Sequence, residues 1–579
     1  MKILGISCFY HDAAAALVVD GALRAAAQEE RFTGIKHDPE FPVNAIRFCL
    51  EKENLDISHI DGIVFYDKPF TKFDRILQSY FQTVPKSYPA FRKAIPIWLR
   101  RKLWLPSIIK KELQYKGPIY FVEHHLSHAA GTYYTSPFER AAILTIDGVG
   151  EWATASIGKG MGNRVELSWA MNYPHSVGLL YSAFTHFLGF QVNSAEYKVM
   201  GMAPYGRPLY AELIRKELVQ IFDDGSIHLN MKYFKYHYGL EMTGRRFDKL
   251  FGRTRRNPES ELTDSDRDLA ASIQEVTGEI ILKMANHAKK ITGENNLCLS
   301  GGVALNCTAA GHLLQKRIFD NIHIQPAASD CGGAVGAALY MYYSLTGADK
   351  INNQPYFTLG PSYNNEDIEK YLTGIGAPYS IRPETELIDY IAGWLSQGKI
   401  VALLYGPMEF GPRALGFRSI LASPQKAEMK ARINSAVKYR EPFRPFAPVV
   451  LEEKVSAYFE NGKSSPYMLF NFDVKPDQRE KIPAVTHIDG TARIQTVNHE
   501  QNPRLYGILK EFERRTGVAV LLNTSFNLRG RPIVRTPQEA FATFISSGID
   551  ALVMENCALA KETLPAGKFE KLRIATKED

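Results

Sequence analysis

Two stretches 140 residues apart begin alike. ILGISCFYHDAAAALVVDGALRAAAQEE starts at Ile3, and ILTIDGVGEWATASIGKGMGNRVELSWA starts at Ile143. Each opens Ile-Leu-x-Ile, passes a short polar turn, runs through an Ala-rich second strand, turns at glycine and enters a third strand. A strand–turn–strand–turn–strand unit found twice, each copy followed by helical sequence, points to a duplicated α/β domain. Two unrelated hairpins would show the same on this repeat alone, so the remaining chain has to carry the reading.

That layout is the one of the actin-like ATPase fold, in which the first turn of each half grips a nucleotide phosphate. At 579 residues the chain exceeds one typical domain, so a second is expected. The boundaries read as 1–350 for the duplicated domain, with a basic insertion at about 68–116. A linker at 351–375 follows, then a second α/β domain at 376–563 and a charged, loose tail at 564–579. The linker GADKINNQPYFTLGPSYNNE replaces periodic apolar residues with Gly, Pro and polar ones. Within the first domain, DSDRDLAASIQEVTGEIILKMANHAKKIT predicts a helix with Leu269, Ile273, Val276, Ile280 and Met284 on one face, capped by Asp264 or Ser265. Two strands then run into glycine-rich turns, LSGG at 299–302 and SDCGGAVG at 329–336. Turns of this kind present backbone N–H groups to phosphate. Neither is a GxxxxGK[ST] loop.

The insertion AFRKAIPIWLRRKLWLPSIIKKEL mixes Trp, Ile and Leu with Arg92, Lys93, Arg100, Arg101, Lys102, Lys110 and Lys111. It reads as a membrane-surface stretch or as a solvated helical cover over the active site. The second reading is the expectation here, with no membrane contact. A net charge of +7 is mild at this length and does not argue for nucleic acid. Cys8, Cys49, Cys298, Cys307, Cys331 and Cys557 are scattered, with no CxxC pair, which suits a reducing compartment. His11 and Asp12 break the N-terminal apolar run, and no uninterrupted apolar run reaches membrane-spanning length. The expectation is a soluble, cytoplasmic protein.

EHHLSH places His124 and His128 four residues apart. On a helix they share a face and reach one metal, while His125 points elsewhere. Asp147 in TIDG and Asp330 in ASDC follow strands whose turns open to one cleft in an actin-like fold. Two imidazoles and two carboxylates suit Fe(II), Mn(II) or Zn(II). In the second domain, FGPRALGFRSIL carries Arg413 and Arg418, and VKYREPFRPFAP carries Lys438, Arg440 and Arg444. In an extended chain Lys438, Arg440 and Arg444 are in phase. Such a cluster fits a small dianion. TARIQTV adds Arg493, and LNTSFNLRG adds Asn523, Ser525 and Asn527 as hydrogen-bonding groups.

YHDAAAAL, QEERFTGIKHD, EHHLSH, TIDGVGEW, EYKVMGMAPYG, LSGGVALN and SDCGGAVGAA occur in this order across the chain. Together they resemble the O-carbamoyltransferases of the nodulation and antibiotic-tailoring type, which act on tobramycin, cephalosporins, saxitoxin precursors and nodulation factors. The resemblance implies a duplicated actin-like domain like that of the tRNA threonylcarbamoyladenosine enzyme, followed by a YrdC-like domain. It implies ATP-dependent transfer of the carbamoyl group of carbamoyl phosphate, through carbamoyl adenylate, to a hydroxyl of a small acceptor. It makes His124, His128, Asp147 and Asp330 ligands of a divalent metal, iron(II) first with manganese or zinc as alternatives, and magnesium accompanies ATP. It makes Lys198, Gly301, Gly302 and Asn306 nucleotide contacts. It makes His11, beside Asp12, the general base for the acceptor hydroxyl, a role that suits a near-neutral imidazole on a turn. Cys331 reads as a small turn residue.

Other readings are carbamoyl transfer to a protein thiol, threonylcarbamoylation of tRNA, and a non-catalytic nucleotide-binding module. The first calls for CxxC zinc motifs and an acylphosphatase module that are missing from this sequence. The last leaves coexisting metal, nucleotide and dianion sites without a purpose. The expected partners are carbamoyl phosphate, ATP and a small hydroxylated acceptor, with no nucleic acid. The acceptor and the oligomeric state stay open.

Overall fold

The structure is a computed structural model, and it describes residues 1–352 and 356–576. The chain forms two compact units, one of Met1–Glu29 with His37–Pro355 and one of Glu30–Lys36 with Tyr356–Asp579. The expected domain at 1–350 therefore lends seven residues to the other unit. Arg31 donates to the Gly411 carbonyl at 2.9 Å, and the Arg535 guanidinium stacks on the Phe32 ring at 4.9 Å.

In the first unit, strands β1 (Lys2–Ser7), β2 (Ala14–Val19), β3 (Ala22–Gln28), β4 (Gly62–Phe65) and β5 (Ile119–Phe121) form a sheet of order β3-β2-β1-β4-β5. Strands β6 (Arg140–Ile146), β7 (Ala153–Met161) and β8 (Arg164–Asn172) begin the second half. After a small hairpin, β9 (Val219–Ile221) and β10 (Ile227–Leu229), come β11 (Asn296–Ser300) and β12 (Asn321–Ile324). The second large sheet has the order β12-β11-β6-β7-β8, the same topology as the first. β1 and β6 each pair antiparallel with the next strand and parallel with a later one. The repeat is thus a duplicated actin-like domain.

The helix Asp264–Thr292 buries Leu269, Ile273, Val276, Ile280 and Met284 completely. Its cap is Thr263, whose hydroxyl accepts from the Asp266 N–H while Asp266 bonds back. The expected caps, Asp264 and Ser265, lie one and two residues inside. A larger correction concerns SDCGGAVG, expected as a phosphate turn. Asp330–Thr346 is helix, and its glycines are packing positions. A Cβ on Gly336 would lie 1.7 Å from the Ser127 carbonyl oxygen, and one on Gly332 2.0 Å from that of Ala327. Across the sheet face, a Cβ on Gly5 would meet the Ala334 oxygen at 1.9 Å. Missing side chains let the helices His124–Tyr134 and Asp330–Thr346 approach at backbone distance, which brings their first turns together.

The insertion folds as helices Pro69–Phe81, Tyr88–Arg100 and Leu105–Leu113. Among the described residues no helix is long and apolar enough to cross a membrane.

The second unit holds an eight-stranded mixed sheet. Its strands are β13 (Ser380–Ile381), β14 (Val401–Leu404), β15 (Arg418–Ala422), β16 (Ala447–Leu451), β19 (Gln495–Val497), β20 (Val520–Ser525), β21 (Ala551–Met554) and β22 (Cys557–Ala560). Their order is β13-β22-β21-β14-β15-β20-β16-β19, and β17 (Asn471–Asp473) pairs with β18 (Thr491–Arg493) apart from it. The linker expected over 351–375 is shorter, because Asn365–Ile375 is a helix capped by Asn364; residues 353–355 lie outside the described residues. The tail expected to be loose is attached as far as it is described. Phe569 is buried, Ile574 N–H donates to Ser546, and Arg531 donates to the Ala575 carbonyl. Residues 577–579 lie outside the described residues.

Candidate active site

The first unit gathers His124, His128, Asp147 and Asp330 into one buried cluster. The two histidines stand one turn apart at the start of helix His124–Tyr134, Asp147 follows β6, and Asp330 opens helix Asp330–Thr346. His124 Nε2 lies 2.9 Å from Asp147 Oδ2, 3.2 Å from His128 Nε2 and 3.7 Å from Asp330 Oδ1. His128 Nε2 lies 3.9 Å from Asp147 Oδ2 and 3.6 Å from Asp330 Oδ1. Donors about 2.1 Å from one four-coordinate ion stand roughly 3.4 Å apart, and these separations scatter around that length. Two imidazole nitrogens facing each other beside two carboxylates are a donor set that fits a divalent cation.

The supporting contacts are specific. Tyr66 OH donates to Asp330 Oδ2 at 3.1 Å, and Gly302 N–H donates to Asp147 Oδ1 at 3.0 Å. Glu151 accepts from the backbone N–H of His124 at 3.1 Å and from that of Lys68 at 2.7 Å. Burial opposes ionisation of both aspartates, but the imidazoles outweigh it. Asp147 is held well below the usual carboxylate range, and Asp330 sits at about 2. His125 points away and bonds Ser156 Oγ at 3.0 Å; burial first, then its imidazole neighbours, lower its pKa to about 3.

His11 stands beside this cluster, its Nε2 3.9 Å from Asp330 Oδ2. Its Nδ1 lies 3.1 Å from Asp12 Oδ2, and His37 Nδ1 lies 2.7 Å from the other Asp12 oxygen. The turn is strained, since Phe9 and Asp12 both adopt positive φ, 69° and 53°. The near-neutral imidazole expected here is corrected. Burial alone would lower the His11 pKa, but Asp330, Asp12 and Asp147 raise it to about 9. The carboxylates that hold this proton are the ones a cation would neutralise.

The nucleotide candidates are spread wider. Gly301 has φ +85° and a Cβ there would meet the Ile146 oxygen at 2.3 Å, so glycine is required. The Gly302 N–H is spent on Asp147. Asn306 caps helix Cys307–Gln315 and exchanges two 3.1 Å bonds with Gln274, so its side chain is committed to the fold. Lys198 is buried, its ammonium 5.6 Å from the centre of the Phe190 ring. From the insertion it is Lys72 and Arg75, on helix Pro69–Phe81, that reach the site's aromatic rim. Lys72 bonds Asp67 at 2.8 Å and lies over Tyr10 and Tyr66, while Arg75 stacks on Tyr173. Tyr66, Glu151, Lys72 and His37 escaped the sequence reading; only Glu151 (in TIDGVGEW) and His37 (in QEERFTGIKHD) lay inside quoted motifs.

In the second unit the basic residues divide. Arg418 is fully buried and donates to the carbonyls of Tyr405, Gly406, Phe417 and Pro361 at 2.9–3.1 Å. It braces the loop and offers nothing to a ligand, which corrects its reading as a dianion contact. Lys438 is likewise committed. It ends a short helical turn, not an extended strand, and donates to Ser525 Oγ at 3.2 Å and to Asn527 Oδ1 at 2.7 Å. Ser525 and Asn527 are thus brought to Lys438, as an anchor for their own loop. Asn523 is buried and donates to Gln495 Oε1 at 2.7 Å. Glu409, missed in the sequence, holds the GPRALG loop by accepting from the N–H groups of Leu415, Phe417 and Arg418. Arg413, Arg440, Arg444 and Arg493 are half-buried. Arg440 is oriented by Asn434 Oδ1 at 2.9 Å and by the Phe446 ring, and Arg444 by Glu441 at 3.5 Å. Replacing Arg418 by Ala should cost about 3–5 kcal/mol in denaturant unfolding, since four carbonyls lose a charged donor. Loss below about 1 kcal/mol would show that the bracing is immaterial.

Family models match most of both units. A family model described as the carbamoyltransferase N-terminus matches residues 2–339, and one described as the carbamoyltransferase C-terminus matches residues 392–561. An uncharacterised Synechocystis protein is 48% identical, covering 97% of each chain. Nodulation protein NolNO of Sinorhizobium fredii is 36% identical over 98% of this chain and 81% of its own. Among solved structures, HypF of T. kodakarensis aligns at 14% identity with a TM-score of 0.30, over 60% of this chain and 48% of its own.

Proposed function

From the premise that this chain belongs to the carbamoyltransferase family, we propose that it is the ATP-dependent, O-directed kind, acting on a hydroxyl of a small metabolite. Carbamoyl phosphate, ATP and water give carbamoyl adenylate, pyrophosphate and phosphate. The acceptor alcohol then attacks the carbamoyl carbon, the bond to AMP breaks, and the alcohol proton is taken up by a base. Both substrates belong to the cytoplasm. The nodulation names of the relatives suit a hydroxylated acceptor and identify none.

The observation that carries this reading is the adjacency of His11 to the four-donor cluster. Asp12 orients His11 through Nδ1, which leaves Nε2 as the proton acceptor facing the cluster. A divalent cation held by His124, His128, Asp147 and Asp330, iron(II) by preference, would supply positive charge to an adenylate phosphate and offset the carboxylates that keep His11 protonated. Tyr66, Glu151 and Gly302 hold those ligands in place through the hydrogen bonds described above. In the second unit Arg413, Arg440 and Arg444 bind the carbamoyl phosphate dianion through charge-assisted bonds. The Lys438-anchored loop of Ser525 and Asn527 positions ATP beside it, with magnesium.

The test is to supply ATP and carbamoyl phosphate to the full chain with a panel of sugars and aminoglycosides. Pyrophosphate that requires both substrates, and acceptors that gain a carbamoyl group by mass spectrometry, are expected. Pyrophosphate release that ignores carbamoyl phosphate would overturn the reading.

A further inference from the structure

Residues 68–116 carry twelve Lys and Arg against Asp74 and Glu112, a net +10, whereas the whole chain carries +7. All of the protein's excess positive charge is therefore in this insertion, and the remainder is slightly acidic. The same segment also concentrates exposed apolar side chains. Phe70, Phe81, Ile97, Leu99 and Trp104 are 51–69% exposed. Isolated exposed apolar residues are ordinary, but a cluster among cations is not.

The two kinds of side chain share a surface. On helix Tyr88–Arg100 the inward face is Ala90, Ile95 and Trp98. At 100° per residue the opposite face presents Tyr88, Ile97 and Leu99 interleaved with Arg92, Lys93 and Arg100. Helix Pro69–Phe81 packs alongside through Phe73 against Trp98, ring centres 5.7 Å apart, and through Phe81 against Phe91 at 6.3 Å. It sets Phe70 and Phe81 at the two ends of one exposed face, eleven residues apart. Trp104 continues the surface, its indole N–H bonded to the Leu99 carbonyl at 2.6 Å. Buried Lys72 is paired with Asp67, buried Arg75 stacks on Tyr173, and exposed Arg101 is paired with Glu40. Arg92, Lys93, Arg100, Lys110 and Lys111 have no ion pair among the described residues.

We propose that the outer face of the insertion docks peripherally on an anionic membrane surface, its cations on lipid headgroups and its aromatic and aliphatic side chains in the headgroup–acyl boundary. This reverses the membrane-free cover expected from the sequence. A second copy is the wrong occupant, because a two-fold contact would set the outward Arg92, Lys93 and Arg100 of two copies against each other. Nucleic acid accounts for the cations but not for Ile97 and Leu99, which have no phosphate or stacking role. An anionic bilayer takes both groups. The inference is independent of the carbamoyl-transfer reading.

The test is sedimentation of the full chain with phosphatidylcholine vesicles, with and without phosphatidylglycerol, at about 0.15 M salt. Binding to the anionic vesicles only is expected, weakening as salt rises. Combining Arg92→Gln, Lys93→Gln and Arg100→Gln should lower partitioning about a hundredfold. Ile97→Gln with Leu99→Gln should abolish the part of binding that survives high salt. All five side chains are exposed, so unchanged melting curves verify that the variants fold. Failure to sediment with phosphatidylglycerol vesicles overturns the proposal. So does a concentration-dependent dimer lost in the Ile97/Leu99 variant, or steeply salt-dependent RNA binding without vesicle binding.

Discussion

Protein carrying His128→Ala is expected to emerge with less than a tenth of the divalent metal bound by the parent, which should hold about one equivalent. His128 Nε2 lies within 3.9 Å of three other donor atoms. Its removal leaves one imidazole and two carboxylates, all buried, to hold the ion. A ligand that binds only the folded state at a hundred times its Kd contributes about 2.7 kcal/mol, so the variant's melting temperature should cease to rise with added metal. The companion variant is His125→Ala. That ring is turned to Ser156, so full occupancy should persist. Elemental analysis of both, with melting in iron(II), manganese and zinc, is the measurement. Full metal in His128→Ala, or its loss in His125→Ala, would remove the cluster from the account.

The second large effect should split the reaction in two. Arg440→Ala is expected to lower carbamoyl-phosphate-dependent pyrophosphate release by about a hundredfold or more, since a charge-assisted contact to a dianion contributes a few kcal/mol. Arg440 is half-buried and already oriented by Asn434 and Phe446, so little ordering is needed when the anion binds. His11→Ala should leave that release largely intact and cut carbamoylated product about 10²–10⁴-fold, the range of a general base. The two quantities are assayed side by side in each variant. Wild-type pyrophosphate release from Arg440→Ala would displace the dianion site. Normal product from His11→Ala would displace the base.

The candidate donor quartet was legible because His124 and His128 share a helical face, Asp147 directly follows β6 and Asp330 stands in a polar segment beyond β12. The strands themselves followed from local patterns. Alternating apolar runs and turn glycines report which face is buried, and a repeat of them must fold twice into the same five-strand order. The division among the basic residues was not legible. Arg413 and Arg418 stand five residues apart, and only the fold brings the carbonyls of Pro361, Tyr405 and Gly406 to Arg418. SDCGGAVG looks like a turn by composition, and only the 1.7 Å approach at Gly336 makes its glycines a helix-packing surface. The raised pKa of His11 comes first from Asp330, more than three hundred positions away, and then from its neighbour Asp12 and from Asp147. By itself the sequence determined the duplication and most of the elements, because both are written in short-range spacing, and its ordered motifs carried the family resemblance. The tertiary structure alone decided which donors face one another, which cations are already spent and which apolar side chains face outward, because hydrogen bonds, charge coupling and exposure depend on neighbours through space.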